Sequence, residues 1–148
     1  MKTITTFLFL CFASLFVHGQ TQLELSIKKA SDAINSVSEH LHLMEIKNLG
    51  RSTSDFNVAM VNKECEYIET TQQSILKNQL LDVNKNPIDH ISVTPGESVV
   101  FYIKLTRPFN TRLNTWNCTE IYAIDQNEKP ISNSVTIETL IPDPRNNN

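Results

Sequence analysis

Apolar residues recur at alternating steps of four and three along the first third of the chain. The positions are Leu23, Ile27, Ala30, Ile34, Val37, Leu41 and Met44. On a helix this spacing forms one continuous apolar stripe. Thr21 and Glu24 have the spacing of a capping box, and Gly50 follows where a helix would end. The pattern therefore predicts an amphipathic helix over about residues 22 to 48.

The stretch over residues 55–80 supports two interpretations. A 3-4 spacing continues through Val58, Val61, Cys65, Ile68, Gln72 and Ile75. Phe56, Val58 and Met60 instead alternate, as in a strand. No Pro or Gly interrupts residues 51–86, and a length without breakers favours a second helix over a pair of strands. We prefer the helix here and leave the strand open.

From Leu80 onward the apolar residues come in short bursts rich in β-branched side chains. Three of these bursts, at residues 98–105, 116–124 and 134–140, are predicted strands. The sequence therefore predicts an α+β fold. One or two N-terminal amphipathic helices would pack on a small antiparallel β-sheet of four or five strands.

One short pattern occurs twice in this second part. Residues 82–88 and 125–131 share the pattern Asp-x-Asn-x-x-Pro-Ile, each after an apolar pair. The pattern predicts an Asx-type turn followed by an extended segment that begins at the Pro. It lacks the Gly and the bidentate Glu of a calcium-binding loop, so we expect no calcium there.

The N-terminus has the pattern of a secretory signal peptide. Lys2 precedes an apolar run from Phe7 to Val17, and Gly19 stands before the predicted first mature residue, Gln20. We therefore expect a secreted or periplasmic protein. The predicted organisation is a signal peptide at 1–19, one domain at 20–141 (helical part 22–80, β part 81–141) and a flexible tail at 142–148.

Composition excludes several classes of protein. The 148 residues have a net charge of −3 at pH 7, which argues against a nucleic-acid-binding surface and against a polybasic membrane-binding one. No apolar segment is long enough for a membrane span. Only three glycines occur, so there is no Gly-rich loop for a phosphate, and we predict no cofactor.

Two cysteines remain after removal of the signal peptide, which contains Cys11. In an oxidising compartment Cys65 and Cys118 are predicted to form a disulfide, with two buried free thiols as the alternative. Asn117 begins an Asn-Cys-Thr acceptor for N-glycosylation, which matters only for a eukaryotic source.

Catalytic and metal-binding motifs are not evident. His40 and His42 lie two residues apart, and on a helix they would point about 200° apart, too far to bind one metal ion. His90 has no nucleophile beside it in the sequence. We therefore predict neither a metal site nor a catalytic residue.

A cationic and aromatic segment is the candidate binding site. It comprises Lys104, Arg107, Phe109, Arg112 and Trp116, and no acidic residue interrupts it. Such side chains suit a protein or a glycan partner. In the alternative interpretation, Phe109 and Trp116 are core residues and the arginines are simply solvated.

These observations predict an exported, non-catalytic binding or accessory protein whose ligand is unknown. The first alternative is a self-assembling subunit, a homo-oligomer formed through the helix over residues 23–44. A small secreted enzyme is the weaker alternative.

Overall fold

Strands account for nearly all the regular structure of the residues that can be described. The computed structural model describes residues 22–35 and 37–143, so the predicted signal peptide and residues 144–148 of the predicted tail lie outside the described residues. The strands are β1 (Leu23–Lys29), β2 (Glu39–Asn48), β3 (Ser54–Lys63), β4 (Lys77–Leu81), β5 (Ile91–Val93), β6 (Ser98–Thr106), β7 (Thr115–Ile124) and β8 (Val135–Ile141).

These strands form two four-stranded antiparallel sheets. The first has the order β1-β2-β6-β4 and the second the order β5-β3-β7-β8. Side chains from both sheets form one hydrophobic core, so the sheets pack face to face as a sandwich. The order of the strands within the two sheets is that of an immunoglobulin-like sandwich, with β5 as an additional strand beside β3.

The predicted α+β fold is wrong, because residues 22–48 form β1 and β2 rather than a helix. The buried face of β2 includes His40 and His42, while Leu41 and Leu43 lie half-buried on its outer face. Since polar and apolar side chains occur on both faces, the two-residue period of the strand is hidden in the sequence. A homo-oligomer built through a helix over residues 23–44 is thereby overturned as well.

The preferred second helix is also wrong. Residues 54–63 form β3, in which Phe56 is buried and packs in the core with the partly buried Val58 and Met60. The alternation of these three residues was the correct signal. Among the described residues the short 3-10 turn Thr70–Gln72 is the one helical element, and no helix is long and apolar enough to span a bilayer.

The three strands predicted in the second half of the chain are confirmed. They coincide with β6, β7 and β8 to within one residue at each end. Their inward side chains alternate as expected, and Phe101, Ile103 and Leu105 of β6 are at most 1% exposed.

Hydrogen bonds close one side of the sandwich. The N–H of Leu25 donates to Oδ1 of Asn133 (2.8 Å), and Nδ2 of Asn133 donates back to the carbonyl of Leu25 (2.9 Å). The N–H of Leu23 also donates to the carbonyl of Ile131 (3.3 Å). The segment before β8 therefore covers the edge of β1, which would otherwise expose unpaired backbone groups.

The repeated Asp-x-Asn-x-x-Pro-Ile pattern forms the same turn twice. Each of the carboxylates of Asp82 and Asp125 accepts two backbone N–H groups at 2.8 to 2.9 Å. These donors hold the pKa of both carboxyls below its usual value. The fourth residue of each turn, Lys85 or Glu128, has a left-handed backbone with φ of 66° or 61°.

Candidate functional site

Three loops lie together at one end of the sandwich, which we call the loop end. They are residues 30–38, 64–76 and 107–114, between β1 and β2, β3 and β4, and β6 and β7. The pairing register places them together. Thr106, at the end of β6, pairs with Glu39 at the start of β2 and with Lys77 at the start of β4. Lys63, at the end of β3, pairs with Cys118 near the start of β7.

Large apolar side chains protrude from this end. Phe109 and Tyr67 are fully exposed, at 108% and 102%, and Ile34 and Ile75 are 70% and 71% exposed. All three loops contribute at least one of these four residues. A group of exposed apolar side chains on loops at one end of a sandwich is typical of an interaction surface.

Hydrogen bonds join the three loops to one another. The N–H of Arg107 donates to the carbonyl of Ser38 at 2.7 Å, which connects the third loop to the first. Nη1 of Arg112 donates to the carbonyl of Thr71 at 2.7 Å, which connects the third loop to the second. The β6–β7 loop therefore stands between the other two and fixes their positions.

A disulfide anchors the second loop. Cys65 and Cys118 are bonded, as predicted, with Cα atoms 5.3 Å apart. Further along the same loop, the hydroxyls of Ser74 and Thr115 are hydrogen-bonded at 2.6 Å. The loop over residues 64–76 is thus attached to β7 both near its start and near its end.

Tyr67 occupies a strained position on this anchored loop. Its φ of 64° lies in the left-handed region, which a bulky L-residue rarely adopts. The side chain of Gln73 holds the backbone on both sides of it. Oε1 of Gln73 accepts the N–H of Cys65 (3.0 Å), and Nε2 donates to the carbonyl of Ile68 (2.9 Å). The strain persists because the surrounding loop fixes this conformation.

A buried polar cluster lies beneath the loops. Nδ2 of Asn117 donates to the carbonyl of Ser74 (2.9 Å) and to Oδ1 of Asn62, while its Oδ1 accepts the hydroxyl of Thr119 (2.9 Å). Asn117 is only 1% exposed. Both hydrogens of its amide are engaged in these two bonds.

His40 and His42 point into the sandwich on the same face of β2, whereas the predicted helix would have placed them on different sides. Burial lowers the pKa of His42 from 6.5 to about 4, with a smaller effect of His40. Nδ1 of His42 accepts the N–H of Ser31 (3.3 Å), and its Nε2 has no hydrogen-bond partner. Burial also lowers the pKa of His40, against a backbone hydrogen bond to Val37, and nearby Arg107 lowers it further.

The structure divides the predicted binding segment between different surfaces. Lys104 lies half-buried on the outer face of the first sheet, where its Nζ is 3.0 Å from Oε1 of Glu39. Trp116 lies half-buried on the outer face of the second sheet. The remaining members, Arg107, Phe109 and Arg112, share the loop end.

Three exposed side chains of the loop end escaped the sequence analysis. Ile34, Tyr67 and Ile75 were all assigned to helices, where Ile34 and Ile75 would form part of a buried stripe. In the described part of the chain, no group of three or more His, Cys, Asp or Glu side chains is close enough to hold a metal ion.

The fold and the loop end define a β-sandwich with a surface built from loops, and a solved structure has a similar fold. No family model matches the sequence, and no curated protein matches it. A FixG-related protein from Vibrio parahaemolyticus has a TM-score of 0.53 at 13% identity over 82% of this chain and 96% of its own. This likeness supports the sandwich fold.

Two further structures are similar to this chain. A conjugative transposon lipoprotein from Bacteroides eggerthii has a TM-score of 0.48 at 10% identity, over 81% of this chain and 98% of its own. A structure described as the apo PmoF2 PCuAC domain has a TM-score of 0.44 at 12% identity, over 83% and 91%.

Proposed function

We propose that this protein is an extracytoplasmic, non-catalytic binding protein that docks onto another protein through the loop end. The observation that carries the proposal is the full exposure of Tyr67 and Phe109 on two loops that a disulfide and hydrogen bonds hold in place. Aromatic side chains on such loops supply much of the binding energy in protein interfaces.

Two observations support a location outside the cytoplasm. The Cys65–Cys118 disulfide is of a kind that persists in oxidising compartments. The pattern of residues 1–19, with a basic start and a short apolar run, is that of an export signal.

The charges of the loops favour a protein partner over a membrane. The second loop carries three exposed acidic residues, Glu64, Glu66 and Glu69, and the third carries Arg107 and Arg112. An anionic bilayer would repel the carboxylates, and the mixture of signs suits a partner surface that also has both. Because the aromatic side chains protrude, we expect them to enter recesses on that partner.

The fixed geometry of the loops strengthens this proposal. Ordering mobile side chains and loops on binding costs free energy, and loops held in advance avoid part of that cost. Here the disulfide at Cys65, the bonds of Gln73 and the bond from Arg112 to Thr71 all act before a partner arrives.

The proposal is tested by photo-crosslinking in the cells that export the protein. Position 67 or position 109 is replaced by p-benzoylphenylalanine, and Leu49, which is 54% exposed at the opposite end, is replaced in the same way as the matched control. We expect a discrete adduct with another protein from positions 67 and 109, and none from position 49. Equal adducts from all three positions, or none from the loop end, would overturn the proposal, and an adduct between two copies would indicate self-association.

The arginines provide a second test. With the photo-crosslinker at position 109, the double change Arg107→Ala and Arg112→Ala is expected to abolish the adduct while the circular dichroism spectrum stays unchanged. If the double variant unfolds instead, the two arginines are structural, and adduct formation from positions 67 and 109 alone decides the proposal.

A further inference from the structure

A cleft of about 230 Å³ opens on the outer face of the first sheet. Its floor is apolar and aromatic, and its walls come from the end of β1, from the β1–β2 loop that follows it, and from the turn over residues 82–87, which we call the first Asp turn. The floor consists of Leu41, Leu43 and Tyr102, and the walls include Lys29, Asp32 and Lys85. The floor residues are adjacent because Leu43 pairs directly with Tyr102 in the sheet.

The positive charges at this cleft are not equally balanced. Nζ of Lys29 is 2.9 Å from Oδ2 of Asp32, so that wall is internally neutralised. The ammonium group of Lys85 forms no ion pair or hydrogen bond with any residue that the structure describes. The cleft therefore has one uncompensated cation beside an apolar floor.

The turn that carries Lys85 is rigid. The backbone N–H of Lys85 donates to the carbonyl of Asp82 (3.0 Å). The Asp82 carboxylate accepts the backbone N–H groups of Asn84 and Asn86. The φ of 66° at Lys85 is one that Gly or Asn would adopt at lower cost. The backbone thus holds the lysine at the rim of the cleft without help from its side chain.

We propose that this cleft binds a small amphipathic carboxylate. The hydrocarbon or aromatic body lies on Leu41, Leu43 and Tyr102, and the carboxylate meets the ammonium group of Lys85. The volume is below the roughly 300–1,000 Å³ of pockets for drug-sized ligands, which selects a compact monocarboxylic acid. This proposal does not rest on Tyr67 or Phe109, and either proposal can fail without the other.

The proposal is tested by an NMR titration of the folded protein with 3-phenylpropanoate as the probe. We expect saturable shifts of the Leu41 and Leu43 methyl signals and of the Tyr102 ring signals. The neutral isostere 3-phenylpropanamide should bind about tenfold more weakly, because it lacks the charge-assisted contact to Lys85. Absence of saturable shifts, shifts confined to other residues, or equal affinity for the acid and the amide would overturn the proposal.

The second Asp turn supplies a matched control. Lys85→Asn removes the cation of the cleft. Glu128→Asn introduces the same residue at the equivalent left-handed position of the other turn. Lys85→Asn should raise the dissociation constant of 3-phenylpropanoate about tenfold, and Glu128→Asn should leave it unchanged. An equal effect of the two variants would show that Lys85 does not contact the acid and would overturn the assignment.

Discussion

The backbone N–H of Cys65 donates a 3.0 Å hydrogen bond to Oε1 of Gln73, which closes the base of the segment that displays Tyr67. Cys65 is also bonded through its sulfur to Cys118. Cys65 therefore connects the start of the loop over residues 64–76 both to Gln73 near its end and to β7.

Replacing Tyr67 with Asn should stabilise the protein and weaken its binding. Asn tolerates the left-handed conformation that Tyr67 occupies, so relief of strain should raise the free energy of unfolding by about 1 kcal/mol and the melting temperature by a few degrees. Adduct formation by a photo-crosslinker at position 109 should fall at the same time. Phe109→Asn is the control, because Phe109 is equally exposed and has no left-handed backbone, and it should give no such gain.

Loss of the disulfide should destabilise the fold. Its cysteines are 53 residues apart, and the chain-entropy model gives about 4 kcal/mol for a closed loop of that size. Urea unfolding of a variant with both Cys65→Ala and Cys118→Ala should show this loss, and limited proteolysis should cut within residues 64–76. Unchanged stability together with resistance to cleavage would mean that the hydrogen bonds of the loop suffice without the disulfide.

Acidification should destabilise the protein through His42. Burial lowers the pKa of this residue from 6.5 to about 4, so the folded state disfavours the protonated ring. The free energy of unfolding is therefore highest above pH 6.5 and falls as the pH drops toward 4, by up to about 3 kcal/mol. Protonation also removes the acceptor for the N–H of Ser31. Urea midpoints measured from pH 7.5 to pH 4 will show the slope.

His42→Gln should flatten that slope, because it removes the main group that titrates in this window. The part that remains belongs to His40, whose pKa is also lowered by burial. The control is His90→Gln, which replaces an exposed histidine and should leave the urea midpoint at pH 7.5 unchanged. A profile for His42→Gln that matches the unmodified chain would contradict the assignment.

Removing the amide of Asn117 should cost more than removing an exposed one. Asn117→Ala leaves the carbonyl of Ser74 without a donor in a buried site and removes one of the two donors to Oδ1 of Asn62, the other being the N–H of Leu76. We expect a loss of about 2 to 4 kcal/mol. Asn110→Ala changes an exposed amide in the β6–β7 loop and should alter stability by less than about 0.5 kcal/mol. Chemical denaturation of both variants measures the difference, and similar losses would argue against the buried cluster.

The second half of the fold could be predicted from the sequence, and the first half could not. In β6 the β-branched and aromatic residues from Val99 to Ile103 predict a strand. In β2 the inward positions include two histidines and Asn48, which is 1% exposed and donates to the carbonyls of Ser52 and Val93. These polar core residues break the alternation, and the remaining apolar positions happen to fit a helical period.

Only some of the residues of the loop end could be identified from the sequence. Arg107, Phe109 and Arg112 were identified because an uninterrupted cationic segment is visible in the chain itself. Tyr67 was not, because its prominence depends on a backbone conformation and a fixed loop that only the folded structure has. No local sequence pattern around residue 67 predicts an exposed aromatic side chain.

The two Asp turns have a consequence for how this chain tolerates rearrangement. Asp82 and Asp125 each reverse the backbone through contacts contained within a few residues, and Leu81 with Pro87 and Ile124 with Pro130 form equivalent bridges at their bases. Since the hydrogen bonds of each turn are formed within the turn itself, we expect either segment to form the same turn at the other position. An exchange of residues 82–87 with residues 125–130 would move Lys85 in one direction, and Glu128 with Lys129 in the other, while the path of the backbone stays the same.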